Sequence, residues 1–280
     1  MTCFYHKSDM DGMCSGAIVK AFDQAVELRG IQYGEPFPWD EITPGQTVYM
    51  VDFSLQPFSD MERLNNLARL VWIDHHKTSL DEAQQAGFLA SGGQNLAIGT
   101  AGCELTWGFC FPDVAMPASV FMLGRYDVWD HMNHPGSLEF QYGIRQYDTK
   151  PENQEFWQEL FRSQGLTERI KQEGSLLLSY EEKQNAAYCR SCAFEVEVDG
   201  LRCIAINRGL TNSLMFKSCY NPERHDAMLT FCMRKHGQWT ISLYSDKPNV
   251  DVSITAKARG GGGHKGAAGF QCETLPFQFA

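Results

Sequence analysis

Carboxylates and imidazoles cluster at three points in the first eighty residues, in types and spacings that suit a divalent cation. Residues 2–5 form a short apolar run that leads into His6-Lys7-Ser8-Asp9-Met10-Asp11-Gly12, so three metal-competent side chains fall on one loop. Residues 47–51 lead into Asp52, and residues 70–73 lead into Asp74-His75-His76. Each apolar run reads as a buried strand, which puts every cluster at a strand's carboxyl end, where ligands bind in open α/β sheets. Mixed oxygen and nitrogen donors converging from three strand ends suit a binuclear site for Mn²⁺ or a similar borderline ion. A lone Asp or Ser after a strand is more often a helix cap, the reading given to Ser54 and Asp60; Asp9 or Asp11 alone would be a cap or an Asx-turn. Three strand ends all finishing in ligand-type residues favour a shared metal site.

The other end of the chain carries Gly260-Gly261-Gly262-Gly263-His264-Lys265-Gly266-Ala267-Ala268-Gly269. No packing requirement for four consecutive glycines is evident in the sequence, so they read as a phosphate cradle in which main-chain N–H groups approach an anion closely. His264 and Lys265 would add charge-assisted bonds. A flexible linker would lack the small apolar run at 267–269 and would not follow the helix-like stretch 250–258. A nucleotide P-loop is excluded, because neither Ser nor Thr follows Lys265.

These residues need a scaffold, and the pattern predicts an α/β chain in two parts. Up to about residue 88 strands alternate with helical stretches, the order expected of a parallel sheet with helices on both faces. Stretches 101–107, 118–126, 138–145 and 155–161 read as helices, and 165–189 reads as one longer helix. Strand-like runs follow at 193–198, 202–206, 227–233 and 239–244, the last two forming a hairpin around Lys235-His236-Gly237-Gln238. The expected division is a sheet domain over 1–163, a helical linker over 164–190 and a smaller α/β domain over 191–280. At 280 residues and 43% hydrophobic composition the chain can build two ordinary cores. No apolar run approaches a membrane span, and an N-terminus that enters a strand at once gives no expectation of export. The ten cysteines fall largely in apolar runs, as buried thiols do, so a reducing, cytoplasmic setting is expected. Charge is uneven: residues 1–200 hold 14 Lys and Arg against 29 Asp and Glu, whereas residues 201–280 hold 10 against 5. The acidic part concentrates cations and the basic part anions, a balance that suits a short polyanion better than a long duplex.

Taken together, His6, Asp9, Asp11-Gly12, Asp52, Asp74-His75-His76 and the terminal GGGGHKGAAG resemble the DHH phosphoesterases, those with a DHH-associated substrate-binding domain at the C-terminus, RecJ-like or oligoribonuclease-like. The resemblance spans nearly the whole chain. It implies a hydrolase with two Mn²⁺ ions, or Mg²⁺ or Co²⁺ in substitution, that activate a water against a phosphoester. Carried over, one ion would be held by His6, Asp9 and Asp52, and the other by Asp11, Asp52, His75 and a fourth-motif Asp. For the fourth position Asp127, first after the apolar run 118–123, is preferred to Asp130; His131 and His134 read as surface or outer residues. His76 would face the substrate as donor or proton carrier, with Asp74 outside the ligand set. Arg259, Gly261, Gly262, Gly263, His264 and Lys265 would grip a phosphate or terminal nucleotide remote from the cleaved bond. The substrates implied are short single-stranded oligonucleotides or nucleotide phosphoesters, including 3′-phosphoadenosine 5′-phosphate and cyclic dinucleotides. The alternatives are an inorganic pyrophosphatase or exopolyphosphatase, against which the glycine motif argues, and a catalytically silent nucleotide-binding module.

Overall fold

Every second residue of the inner strands points to the same side of a sheet, and in the first half of the chain both sides are buried. The computed structural model describes residues 1–277. It separates into two compact units, Met1–Leu178 and Ser179–Ala280. The first holds five strands, β1 (Thr2–His6), β2 (Glu27–Ile31), β3 (Thr47–Val51), β4 (Arg69–Asp74) and β5 (Gly93–Leu96). They form one sheet in the order β2-β1-β3-β4-β5, with every pairing parallel. On one face Cys3, Tyr5, Tyr49, Val51, Val71 and Ile73 join a core with residues of α1 (Met10–Phe22), α4 (Gly102–Cys110), α5 (Ala118–Asp127), α6 (Ser137–Ile144) and α7 (Gln154–Arg162). On the other, Phe4, Val48, Met50, Leu70 and Trp72 pack with α2 (Ser59–Leu67) and α3 (Lys77–Ala86). Burial on both faces is what a parallel sheet requires, and it accounts for the nearly continuous apolar strands.

Two local expectations give way. Ser54 caps no helix: it is buried with its hydroxyl 2.5 Å from that of Ser79. Asp60 lies inside the first turn of α2, whose N-cap position is Phe58 with no side-chain cap. Strands β2 and β5 carry no expectation from the sequence; their short polar runs (ELRGI and GQNL) lack the apolar signal of the central three.

The second unit is built on a six-stranded sheet of β6 (Phe194–Val198), β7 (Leu201–Asn207), β8 (Ala227–Met233), β9 (Trp239–Tyr244), β10 (Gly262–His264) and β11 (Ala267–Cys272). Its order is β10-β11-β9-β8-β7-β6, antiparallel except between β7 and β8. The helix α9 (Val252–Lys257) packs Val252 and Ala256 into the core on one face.

The long helix α8 (Gln164–Cys192) is not a separate linker. Leu166 and Ile170 belong to the first unit's core, and Cys189 to the second's. Its apolar residues suit a packed helix at each end, which moves the division to 178/179, inside the expected linker. Among the described residues no helix is long and apolar enough to cross a membrane.

Candidate metal centre

The three central strands β1, β3 and β4 are neighbours, so parallel pairing sets their carboxyl ends side by side. His6 ends β1, Asp52 follows β3, and Asp74 ends β4. The strand order turns at β1, with β2 on one side and β3 on the other, the arrangement that opens a crevice in such sheets. Asp52 leaves the sheet in a left-handed conformation, φ 52°, while its N–H still donates to the Ile73 carbonyl at 2.8 Å. Asp and Asn are the residues other than Gly that tolerate this backbone best.

Around Asp52 the atoms that could hold a metal ion fall into three overlapping groups: His6, Asp9 and Asp52; Asp52, His75 and His76; Asp11, His75 and Asp127, the atoms of each lying within 4.8 Å of one another. The His75 Nε2 atom stands 3.1 Å from Asp52, 3.5 Å from Asp11 and 3.5 Å from Asp127. His6 Nδ1 is 2.6 Å from Asp9 Oδ2 and 3.7 Å from Asp52, yet it is buried without a hydrogen bond of acceptable geometry. A donor nitrogen packed against carboxylates but not aimed along a hydrogen bond fits a cation between them. Asp9 divides its oxygens: Oδ1 accepts from the Gly12 N–H at 2.9 Å as the cap of α1, and Oδ2 faces His6.

The electrostatics agree with that fit. Burial, then the neighbouring Asp11 carboxylate, holds Asp52 well above the usual carboxylate range. Asp127 is pushed up by burial and by Asp11 and Asp52. For His6, burial is outweighed by Asp52 and Asp9, which bring it to about 10. Mutually repelling carboxylates beside imidazoles form a nitrogen and oxygen donor set suited to a borderline divalent ion.

The groups behind the ligands are equally defined. Asp11 is buried and accepts from the Gly102 and Cys103 N–H groups at the start of α4, both at 2.7 Å. Asp74 is fully buried, accepts from the His75 and His76 N–H groups at 2.7 and 3.2 Å, and lies 2.6 Å from His76 Nδ1. It holds the His76 ring directly and His75 through its backbone N–H. Asp127 is the last residue of α5, and Arg125 two positions earlier is clamped by buried Glu104 of α4 at 2.9 and 2.6 Å. Asp130 turns away, toward Arg125, Asn133 and His134. His131 is buried, while His134 stays with Asp130. Sequence reasoning missed Gly102, Glu104 and Arg125; the one available signal was a helix opening on a small residue ahead of an internal Glu.

In the second unit the glycines serve a hairpin. Gly262, Gly263 and His264 pair with Gly269, Ala268 and Ala267. A Cβ on Gly261 would lie 2.1 Å from the Gly269 carbonyl oxygen, and one on Gly263, at φ 136°, 2.5 Å from Ala268. Gly260, at φ 75°, and Gly262 both have open space where a Cβ would sit. A packing requirement therefore exists for Gly261 and Gly263, and a backbone one for Gly260. Arg259 is paired with Asp199, and the Lys265 ammonium donates to the Pro248 carbonyl at 2.6 Å.

Adding Mn²⁺ to chelated protein should raise its melting temperature. At a hundredfold excess over the dissociation constant, one ion bound only to the folded state contributes about 2.7 kcal/mol, or roughly 5 to 11 °C for a domain of this size. The pH dependence has a defined sign. Asp52 and Asp127 have raised folded pKa values, so the metal-free fold binds more protons than the unfolded chain; their contribution to its stability grows as pH falls through those values toward 3.8. The gain from the cation shrinks over the same window, because ligands must be deprotonated. A calorimetric melt unaffected by Mn²⁺ at neutral pH would contradict the site.

No protein-family model matches the chain. It is 25% identical over 250 residues to an uncharacterized protein of Acanthamoeba polyphaga mimivirus, covering 83% of this chain and 56% of that one. The chain thus spans little more than half the length of this curated relative. Among solved structures, a pGpG-specific phosphodiesterase from Vibrio cholerae superposes with a TM-score of 0.53 at 11% identity, covering 96% of this chain and 92% of that one. A DHH domain described as a member of the S1p family of ribosomal proteins gives 0.54 at 13% identity, over 96% and 81% of the two chains. An exopolyphosphatase-related protein from Bacteroides fragilis gives 0.53 at 14%, over 98% and 87%. The chain has the α/β fold of these three proteins, one of them a DHH domain.

Proposed function

We propose that the chain is a divalent-metal-dependent phosphohydrolase of the DHH phosphoesterase family, acting on short single-stranded oligonucleotides or nucleotide phosphoesters. One observation carries the reading: His6, Asp9, Asp11, Asp52, His75 and Asp127 converge at the carboxyl ends of adjacent strands with Asp52 common to two ligand groups. The fold shared with a pGpG-specific phosphodiesterase supports a small nucleotide substrate.

Two cations, Mn²⁺ first and Mg²⁺ or Co²⁺ in substitution, supply when bound Lewis acidity toward a phosphoryl oxygen and a water of lowered pKa. His6, Asp9 and Asp52 hold one; Asp11, Asp52, His75 and Asp127 hold the other. His76 keeps its Nδ1 proton on Asp74, whose charge offsets burial and raises the imidazole pKa. It therefore presents Nε2 to the substrate, as a hydrogen-bond donor to phosphate or a proton source for the leaving oxygen. In the second unit the hairpin with Gly261, Gly262, Gly263, His264 and Lys265 contacts a substrate phosphate, and Arg259 braces it through Asp199.

The test is a substrate panel on the Mn²⁺-loaded protein: di- to pentanucleotides, 3′-phosphoadenosine 5′-phosphate, cyclic dinucleotides and pyrophosphate, ranked by initial rate. Turnover of nucleotide phosphoesters above pyrophosphate is expected. The reverse ranking would make the chain a pyrophosphatase, and no turnover with any of the three metals would make it a binding module.

His264→Ala separates the hairpin from the metal centre. Metal content is expected to stay constant while affinity for an oligonucleotide falls roughly ten- to a hundredfold, the loss of one charge-assisted bond. Release of Mn²⁺ from that variant would instead assign His264 to the metal centre.

A further inference from the structure

Beside the metal centre stands an aromatic ring that the ligand geometry does not require. Tyr33 is 41% exposed although its ring stacks on that of buried Phe53, with centroids 4.3 Å apart and planes at 29°. The same ring meets His6 at 5.8 Å and His76 at 6.4 Å, both edge-on. One π-face is thus covered by Phe53, the residue after Asp52, and the ring borders the two imidazoles. The remaining surface of the residue supplies its exposure.

The ring is held in advance of any ligand. Tyr33 lies in a turn closed by the Glu35 N–H on the Gln32 carbonyl at 3.2 Å, with Gly34 at φ 87° in the position where such turns need a glycine. Lys7, next to His6, donates to both Glu35 carboxylate oxygens at 2.7 Å and through its N–H to the Ile31 carbonyl. The turn is therefore pinned to the strand end that carries His6. A rigid aromatic with an open face loses little conformational entropy on binding, and an inorganic phosphate chain offers it nothing to stack on.

We infer that Tyr33 is a specificity-determining residue that stacks on a nucleobase, so that the metal centre takes base-bearing phosphoesters in preference to inorganic polyphosphate. The inference rests on the phosphoesterase reading of the same site and names its substrate class. A base on the open face leaves its own phosphate beside His6 and His76.

Equilibrium binding to the Mn²⁺-loaded protein tests it, by calorimetry with adenosine 5′-monophosphate and with ribose 5-phosphate, on the parent chain, Tyr33→Phe and Tyr33→Leu. The parent should prefer the nucleotide. Tyr33→Leu should weaken nucleotide binding roughly ten- to a hundredfold and leave ribose 5-phosphate unchanged, while Tyr33→Phe should behave as the parent. In turnover of a dinucleotide the loss should appear in KM and not in kcat. Equal losses on both ligands, or unaltered nucleotide binding by Tyr33→Leu, would overturn the inference. A nucleotide preference that depends on Tyr33 in a protein without hydrolytic activity would sink the phosphoesterase reading and leave the stacking role standing. Hydrolysis indifferent to Tyr33 would do the opposite.

Discussion

Asp52→Asn is expected to lower turnover by roughly a thousandfold or more, beyond the ten- to hundredfold typical of a residue that only orients a ligand. Asp52 lies in both the His6-Asp9 and the His75-His76 groups, so one neutral amide weakens two cation sites together. Asn is the informative replacement because residue 52 sits at φ 52°, where Ala would add backbone strain unrelated to metal binding. Stability should move the other way. The Asp52 carboxylate is held well above its usual pKa by burial and Asp11, so its ionisation at neutral pH works against the metal-free fold. Metal-free Asp52→Asn should therefore melt at or above the parent temperature and lose most of the increase that Mn²⁺ confers. Two tightly bound ions by elemental analysis, with parental turnover, would show that Asp52 bridges nothing.

Gly102→Ala should lower activity roughly a hundredfold, the scale expected when a reacting geometry shifts by about 1 Å. A Cβ at this position would lie 2.8 Å from Asp52 Cβ, 2.9 Å from Asp52 Oδ1 and 3.1 Å from Asp11 Oδ2. The helix cannot readily yield, because the Gly102 and Cys103 N–H groups hold Asp11 and the Thr106 hydroxyl donates to the Gly102 carbonyl at 2.7 Å. The ligands must move instead, so Mn²⁺ affinity should fall with activity. Gly108→Ala on the same helix is the control: its Cβ would meet only Asn95 Nδ2 at 4.0 Å, and neither property should change. If the two variants behave alike, the effect belongs to the helix and not to the contact with Asp52.

The paired motifs and the layered sheet were legible because their signals are local. Apolar runs ending in His6, Asp52 and Asp74-His75-His76 announce strand ends, and alternation sends Cys3 and Tyr5 to one core and Phe4 to the other without reference to distant residues. The resemblance added the order of the motifs along the chain. The division between the units was blurred for a related reason: a long amphipathic stretch reads as one helix whichever core its two ends join.

What the tertiary structure alone decided lies between segments far apart in sequence. The sequence prefers Asp127 to Asp130 only for its place after an apolar run; the end of α5, held by Arg125 on Glu104 twenty-one residues earlier, sets one 3.5 Å from His75 and leaves the other with His134. Four consecutive glycines look alike as text, and only strand pairing brings the Gly269 carbonyl against Gly261 and Ala268 against Gly263. Tyr33 carries no periodicity and no motif, and it gains meaning only when the β2 crossover returns it to His6. Strand periodicity is set by a few neighbouring dihedrals and can be read residue by residue, whereas these contacts depend on how whole crossovers pack, which no short stretch of sequence encodes.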